Sequence, residues 1–242
     1  MRAFITLVLL LLWWPPVVGA DQASSKMQRA EIDVSNTAAL QDGAQTFVSY
    51  CMGCHGARFQ RYQKVADDLG IPYEQMLETL VPADASIGDH MTTRLQPADA
   101  IAWFGAEVPD LTLVARVRGA DWLYGYLRGF YADPSRPLGV NNIVYPNVNM
   151  PNVLEGLQGR QVRDCQMQAA QPCDRLRVMP GTGSLDAQQF DEKVRNLVTF
   201  LAYSAEPVKS QSRRIGAYVL LYLALLIILA YLLKREYWKD AR

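Results

Sequence analysis

The five-residue run Cys51-Met52-Gly53-Cys54-His55 constrains this chain more than any other feature. The C-x-x-C-H pattern attaches a c-type haem, because two cysteines at this spacing can add to the two vinyl groups of one porphyrin. The histidine that follows is then held under the iron as its proximal ligand. We therefore predict one covalently bound haem c on Cys51 and Cys54, with His55 as an axial iron ligand.

Two other kinds of site use a C-x-x-C pair, namely a redox-active dithiol and half of a zinc site. A dithiol does not need a histidine directly after its second cysteine. A zinc site needs a second pair of ligands, and the chain has only four Cys and two His in all. Both alternatives are weaker than haem attachment.

Apolar runs of unequal length lie at the two ends of the chain. The first resembles a secretory signal peptide, since a basic start and an apolar stretch precede the small residues before Asp21. An uncleaved N-terminal anchor is the alternative there. The second run is nineteen residues without a charge, long enough for a hydrocarbon core of roughly 30 Å. We predict a signal peptide at 1–20, a haem domain at 21–214, a transmembrane helix at 215–233 and a tail at 234–242.

The charges beside the second run do not decide the orientation of the protein. Three basic residues precede the run and four follow it, which is a weak bias. The signal peptide decides instead. We expect a protein of the bacterial inner membrane with its haem domain in the periplasm and its C-terminus in the cytoplasm. Thioether attachment of haem takes place outside the cytoplasm in bacteria, in agreement with this orientation.

Two amphipathic helices are predicted, one near each end of the haem domain. From Ala38 to Tyr50 apolar residues recur at steps of three and four, with Ser35 or Asn36 as the cap. A longer stripe predicts a helix over 185–203, capped by Ser184 and ended by Glu206-Pro207. Their placement around the haem motif is similar to the cytochrome c fold, so the expected class is an all-α, cytochrome c-like haem domain. Shorter segments are predicted as helices at 61–69, 73–80, 97–103, 109–118 and 121–130, and as a strand at 142–145.

A second axial ligand for the iron is needed unless the sixth position is open. His90 is the only other histidine, and it lies among polar neighbours typical of a surface loop. Met150-Pro151 and Met179-Pro180 both lie in extended segments, where proline restrains the backbone. Spacing does not choose between the two methionines. Methionine opposite histidine raises the haem potential and suits electron transfer.

Two cysteines remain after the haem has taken two thiols. Cys165 and Cys173 are even in number and would lie in an oxidising compartment, which favours a disulfide. Closing this short loop would stabilise the fold by ~2.5 kcal/mol on a chain-entropy estimate. The alternative is two free thiols.

Several motifs, taken together and in order, resemble the cytochrome c1 family in its proteobacterial form. They cover nearly the whole mature chain. The C-x-x-C-H run alone is common to c-type cytochromes, but the Pro-Asp-Leu segment, the Met-Pro loop and the single C-terminal anchor are specific when taken together. The matching segments are the C-x-x-C-H run at 51–55, PDLTLVARVRG at 109–119, YPNVNMP at 145–151 and AEP at 205–207.

The resemblance implies roles for individual residues. It selects Met150 over Met179 as the sixth iron ligand. It places Arg118 near a haem propionate, Pro109 against the haem ring and Trp122 at the haem edge. The loop between the spare cysteines is a departure, since not all members of the family share it.

The resemblance also implies the function and the partners. We expect a membrane-anchored electron-transfer subunit of the bc1 complex that is not an enzyme on its own. It would accept electrons from the Rieske [2Fe–2S] protein and pass them to a soluble or membrane-bound cytochrome c. The other expected partners are cytochrome b, in a dimeric complex, and membrane lipid. No nucleic acid is expected among the partners.

Other functions remain as alternatives. One is a tethered haem c subunit of a terminal oxidase or another anchored electron carrier, which would lack the Pro-Asp-Leu and Met-Pro segments. Another is a haem enzyme or gas sensor with an open sixth position, whose reduced form would bind carbon monoxide. A periplasmic dithiol oxidoreductase would contain no haem.

Overall fold

Helices dominate the computed structural model, which describes residues 28–164 and 175–239 and confirms the predicted helical class. The helices are α1 (Thr37–Thr46), α2 (Tyr62–Leu69), α3 (Tyr73–Thr79), α4 (Pro97–Phe104), α5 (Val114–Arg118), α6 (Ala120–Arg128), α7 (Glu155–Gln158), α8 (Ala187–Ala205) and α9 (Lys209–Tyr237). The strands are β1 (Ala57–Arg61), β2 (His90–Met91), β3 (Phe130–Ala132), β4 (Val140–Asn142), β5 (Gln161–Arg163) and β6 (Leu176–Val178).

Helix α1 begins at a predicted cap and ends in a widened turn. The Asn36 side chain accepts a hydrogen bond from the Ala39 N–H, so Asn36 is the cap. Over Phe47–Cys51 the backbone is π-helical, and the Met52 N–H donates to the Phe47 carbonyl five residues back at 3.0 Å. Both ends of this turn are buried, which places Cys51 at the edge of the core.

The long helix α8 starts two residues later than predicted, and Ser184 is not its cap. The Asp186 carboxylate accepts from the Gln189 N–H at 2.8 Å, and the Gln189 side-chain oxygen accepts from the Asp186 N–H at 3.1 Å. This reciprocal pair satisfies two backbone donors at once, so it defines the helix start better than a lone serine. The end at Glu206 and the predicted apolar stripe are confirmed. The buried stripe residues are Phe190, Val194, Leu197, Val198 and Leu201.

The core forms where α1 crosses α8. Gly43 allows the crossing, because a Cβ built there would lie 2.1 Å from the Asn196 carbonyl oxygen. Beside it, the Asp42 carboxylate binds Lys193 and accepts from the Asn196 side-chain amide at 2.9 Å. The close approach of the two backbones at Gly43 and the polar contacts of Asp42 therefore fix how the two helices cross.

Three short antiparallel two-stranded sheets supplement the helices: β1 with β2, β3 with β4, and β5 with β6. The strand predicted over 142–145 is wrong beyond residue 142. There the buried Asn142 side chain accepts from the Val144 and Tyr145 N–H groups and turns the chain. The helix predicted over 109–118 forms only at Val114–Arg118, because Asp110 binds the Thr112 N–H and holds the start as a turn.

Helix α9 is the one helix in the described ranges that is long and apolar enough to cross a membrane. Its apolar part, Arg214–Tyr237, has 24 residues and a mean hydropathy of 2.5, and its most apolar stretch is not buried by the other described residues. At ~1.5 Å per residue this part is about 36 Å long, against a hydrocarbon core of roughly 30 Å. The predicted signal peptide at 1–20 lies outside the described residues.

A pH dependence follows from Tyr203, which lies near the end of α8. Burial raises the pKa of its phenol above the ordinary 10.0, and the hydroxyl's bond to Asp68 at 2.6 Å acts in the same direction. The folded state then holds a proton that the unfolded state releases, so this contribution to stability is present below pH 10 and is lost as the pH rises above it. Thermal unfolding midpoints of the detergent-solubilised protein should fall above about pH 10.

The variant Tyr203→Phe should have a shallower alkaline decline than the parent. Tyr73→Phe is the matched control, because the exposed Tyr73 hydroxyl also donates to a carboxylate, that of Asp67, at 2.6 Å. Equal slopes for the parent and Tyr203→Phe would contradict the assignment.

Candidate functional site

The C-x-x-C-H segment forms a tight turn directly after the π-helical end of α1. The N–H groups of Cys54 and His55 both donate to the Cys51 carbonyl, at 3.0 and 2.8 Å. Cys51 is buried, whereas Cys54 and His55 are half-buried. The turn therefore places two cysteines and a histidine together, with one thiol in the core and the other two groups facing outward.

Neither cysteine of this turn forms a disulfide. Burial, with a smaller effect of Cys54, raises the pKa of the Cys51 thiol to about 12. Reactive dithiols depend on a lowered thiol pKa, so this environment does not suit a dithiol oxidoreductase. No cluster of His, Cys, Asp or Glu in the described ranges could hold a metal ion, so the zinc alternative has no support there either.

His55 is oriented by the backbone of residue 109. Its Nδ1 lies 2.8 Å from the Pro109 carbonyl oxygen, and a carbonyl can only accept, so Nδ1 carries the proton. Burial lowers the pKa of His55 below 6.5, although the bond to Pro109 and the Asp110 carboxylate oppose this. The imidazole is thus neutral and its Nε2 has a free lone pair, the form that ligates a metal.

Asp110 fastens the segment that holds His55. One carboxylate oxygen accepts from the Arg58 N–H at 2.8 Å, and the other accepts from the N–H and the hydroxyl of Thr112 at 3.0 and 2.5 Å. The Leu111 N–H also donates to the Gly56 carbonyl at 2.7 Å. The residues that follow His55 are therefore hydrogen-bonded directly to the residues that follow Pro109.

Replacing Asp110 by Asn should destabilise this junction. An amide has one acceptor oxygen in place of two, so its NH₂ group would face an N–H donor, at a cost of about 1 to 3 kcal/mol. Thermal unfolding in detergent should show the loss as a lowered midpoint. Asp99→Asn, at an exposed position in the first turn of α4, is the control and should stay within about 0.5 kcal/mol. Equal midpoints for the two variants would refute the role given to Asp110.

A stack of cationic and aromatic side chains follows along α5 and α6. The Arg118 guanidinium lies over the Trp122 ring, 5.0 Å from its centroid, and 6.0 Å from the Tyr145 centroid. Trp122 is stacked on Tyr126 at 4.9 Å and 8°. Arg118 is exposed and makes no ion pair with a carboxylate of the described residues, so its charge is available to an acidic group.

Met150 lies at the end of this stack. It is half-buried against the β3–β4 hairpin, and its Sδ accepts a hydrogen bond from the Tyr126 hydroxyl at 3.2 Å. Burial raises the pKa of Tyr126 far above 10.0, so the hydroxyl remains a donor. Segment 109–128 consequently contacts both predicted iron ligands, His55 through its first residue and Met150 through Tyr126.

Two adjacent asparagines shape the loop before Met150, and the sequence reasoning did not find them. Asn141 Oδ1 accepts from the Asn147 N–H at 2.8 Å, and the buried Asn142 donates to the Tyr126 carbonyl at 2.8 Å. Asn147 has a φ of 63°, a left-handed conformation that asparagine tolerates better than most residues. Asparagine is a common turn residue, but the bond from Asn142 to the Tyr126 carbonyl reaches sixteen residues back and has no local sequence signal.

The alternative axial ligands, Met179 and His90, make none of the contacts described above. Met179 is 40% exposed after the β5–β6 hairpin and lines a cavity of about 600 Å³ with Arg128 and Phe190. His90 is exposed on β2. The predicted disulfide between Cys165 and Cys173 lies outside the described residues.

The donor set fits a covalently attached haem. Two cysteines stand at the C-x-x-C spacing and a neutral histidine with an available Nε2 lone pair follows directly. Segment 109–128 supplies an available arginine, Arg118, and contacts a methionine sulfur, that of Met150. This combination allows thioether attachment, axial ligation and binding of an acidic substituent. Pro109, whose carbonyl oxygen binds His55, is exposed.

The chain is similar to known proteins along almost its whole length. The model of the Cytochrome C1 family matches residues 29–241. Cytochrome c1 of Allochromatium vinosum is 44% identical over 243 residues and covers 99% of both chains. A protein named ammonia monooxygenase gamma subunit, from Nitrosomonas europaea, is 38% identical over 240 residues, again covering 99% of both. Cytochrome c1 of Rhodospirillum rubrum is 27% identical and covers 84% of this chain and 82% of its own.

Proposed function

The chain belongs to the cytochrome c1 family, and from that premise we propose that it accepts electrons from the Rieske iron–sulfur protein and passes them to a cytochrome c. Its family membership makes it a haem c electron-transfer subunit of the bc1 complex, together with cytochrome b and the Rieske protein. It carries one covalently attached haem c and is not an enzyme by itself.

We assign the haem attachment to Cys51 and Cys54 and the axial positions to His55 and Met150. The observation that supports this most directly is the bond from His55 Nδ1 to the Pro109 carbonyl, which leaves the Nε2 lone pair available next to two cysteines that form no disulfide. The Tyr126 hydroxyl at the sulfur favours Met150 over Met179. Arg118 would bind a haem propionate, and Pro109 and Trp122 would pack near the ring.

These residues would support electron transfer without a substrate pocket. When bound, haem c supplies reversible one-electron chemistry at its iron. His55 and Met150 would hold both axial positions in both oxidation states, so few atoms move on transfer. The stack of Trp122 and Tyr126 would limit the access of water on the methionine side.

Position in the membrane completes the proposal. Helix α9 would anchor the domain beside cytochrome b, and the signal peptide would place residues 21–214 in the periplasm, leaving the C-terminus in the cytoplasm. The protein would belong to the bacterial inner membrane and to a dimeric complex. Arg213-Arg214 and Lys234-Arg235 flank the charge-free run 215–233 of the anchor, as expected for residues at the two interfaces.

Mild-detergent purification from membranes, with visible spectra and identification of the co-purifying chains, tests this proposal. We expect haem c together with haem b and a [2Fe–2S] protein, and reduction of the haem c by quinol that depends on the Rieske subunit. Oxidase subunits in its place would contradict the proposal, and so would the ammonia monooxygenase subunits for which the Nitrosomonas relative is named.

A further inference from the structure

We propose that Tyr126 is a positioning residue that tunes the Met150 sulfur, and that its hydroxyl raises the reduction potential of the site. This inference rests on the proposed role of Met150 as an iron ligand. It goes further in assigning a function to a second residue, which touches the ligand and not the iron.

The contact itself is the first support. The Tyr126 hydroxyl oxygen lies 3.2 Å from Met150 Sδ, and this sulfur is the hydroxyl's hydrogen-bond partner within the described part of the chain. A phenol next to carbonyl and amide groups would ordinarily donate to one of them, because oxygen is the stronger acceptor. Here the ring is oriented so that its donor points at a thioether.

The surroundings hold the tyrosine ring in that orientation. Trp122 stacks on it at 4.9 Å, and Phe130 meets it edge-on at 5.2 Å and 68°. The backbone carbonyl of Tyr126 is itself bound by the Asn142 side-chain amide at 2.8 Å. Because the donor is already ordered, little further conformational entropy is lost in making the bond.

The chemistry of a thioether gives the bond its effect. The sulfur has two lone pairs, so it can donate one to iron while the other accepts the O–H. The accepted hydrogen bond withdraws electron density from the sulfur and weakens its donation. Iron(III) needs that donation more than iron(II) does, so the bond favours the reduced state. Hydrogen bonding around a ligand is one of the levers that a protein has on a haem potential.

The chain offers a matched control. Tyr62 also donates its hydroxyl to a methionine sulfur, that of Met52, at 3.5 Å, and both side chains are buried. Met52 lies inside the attachment motif but is assigned no bond to iron. Tyr62→Phe therefore removes the same group from the same kind of contact at a sulfur that is not a ligand.

The experiment compares the redox titrations of haem c in the purified full-length complex for the parent, Tyr126→Phe and Tyr62→Phe. At a fixed applied potential we expect the ratio of reduced to oxidised haem c to fall about fivefold in Tyr126→Phe, the equivalent of one ordinary hydrogen bond. Tyr62→Phe should leave the ratio unchanged. The sulfur-to-iron(III) charge-transfer absorption should persist in both variants but shift only in Tyr126→Phe. An unchanged ratio and an unshifted band in Tyr126→Phe would overturn the inference, as would equal shifts in the two variants.

A second substitution keeps the test decisive if Tyr126→Phe does not assemble. Fluorotyrosine at position 126 keeps the ring and strengthens the donor, so the ratio should rise. No change would overturn the inference. Met150→Leu separates this inference from the proposed function. If Met150→Leu keeps the parental potential and charge-transfer band, the ligand assignment itself is wrong. If it loses both while the Tyr126 variants match the parent, only the role of Tyr126 is wrong.

Discussion

Replacing Met150 by Leu should lower the midpoint potential of haem c by on the order of 100 mV, since axial ligands control haem potentials over a wide range. Leucine fills a similar volume but cannot bind iron, so water or another hard donor would take the place of the thioether. A hard donor favours iron(III) more than a thioether does, and the potential falls. Met179→Leu is the matched control, because Met179 is also followed by proline but is 40% exposed on a distant hairpin. Its potential should equal that of the parent.

Carbon monoxide provides a second measurement on the same variants. The reduced parent should not bind it, because both axial positions are taken, whereas Met150→Leu should bind it and show a shifted Soret band. A CO-shifted band in the intact parent would refute Met150 as the ligand. A lowered potential in Met179→Leu alone would show that the other loop supplies the sulfur.

The largest loss of stability is expected for Gly43→Ala, at the crossing of α1 and α8. The new methyl group would lie 2.1 Å from the Asn196 carbonyl oxygen and 2.8 Å from Phe200 Cβ. Backbone atoms cannot rotate away, so the two helices must separate and the core beside them must open. We expect a cost of about 3 kcal/mol or more, and a thermal midpoint lower by roughly 6 to 12 °C.

Gly156→Ala is the control for that prediction. Gly156 lies in the short helix α7, and a Cβ there would meet no atom within 4 Å. Its midpoint should match the parent within about 0.5 kcal/mol. A change in the Soret absorbance of haem c and the loss of near-ultraviolet circular dichroism on heating both report the unfolding. A parental midpoint for Gly43→Ala would mean that the helices cross elsewhere.

The helices could be predicted from the sequence where the apolar periodicity of a single segment was sufficient. The apolar stripe of α8 and its end before Pro207 are properties of a single helix, so periodicity found both. The π-helical turn over Phe47–Cys51 was not predictable, because its apolar residues fit an ordinary helix equally well. Strands of two or three residues are too short for alternation to be detected, so the two-stranded sheets were missed.

The candidate site likewise has one part that could be predicted from the sequence and one part that could not. Cys51, Cys54 and His55 are adjacent in sequence, so their chemistry could be predicted from spacing alone. The partners that orient the site come from distant segments, such as the Pro109 carbonyl at His55 and the Tyr126 hydroxyl at Met150. Resemblance to a family named several of these residues, but only the structure shows which atoms meet.

Segment 109–128 has a consequence for how such a chain can vary over evolutionary time. One inserted residue between the two contacts would alter the spacing of the surroundings of both proposed iron ligands, since the segment contacts His55 at one end and Met150 near the other. The stretches before and after it touch at most one of the two ligands through these bonds. Lineages should therefore diverge in length mainly outside these twenty positions, where a change in one half of the site leaves the other half unaffected.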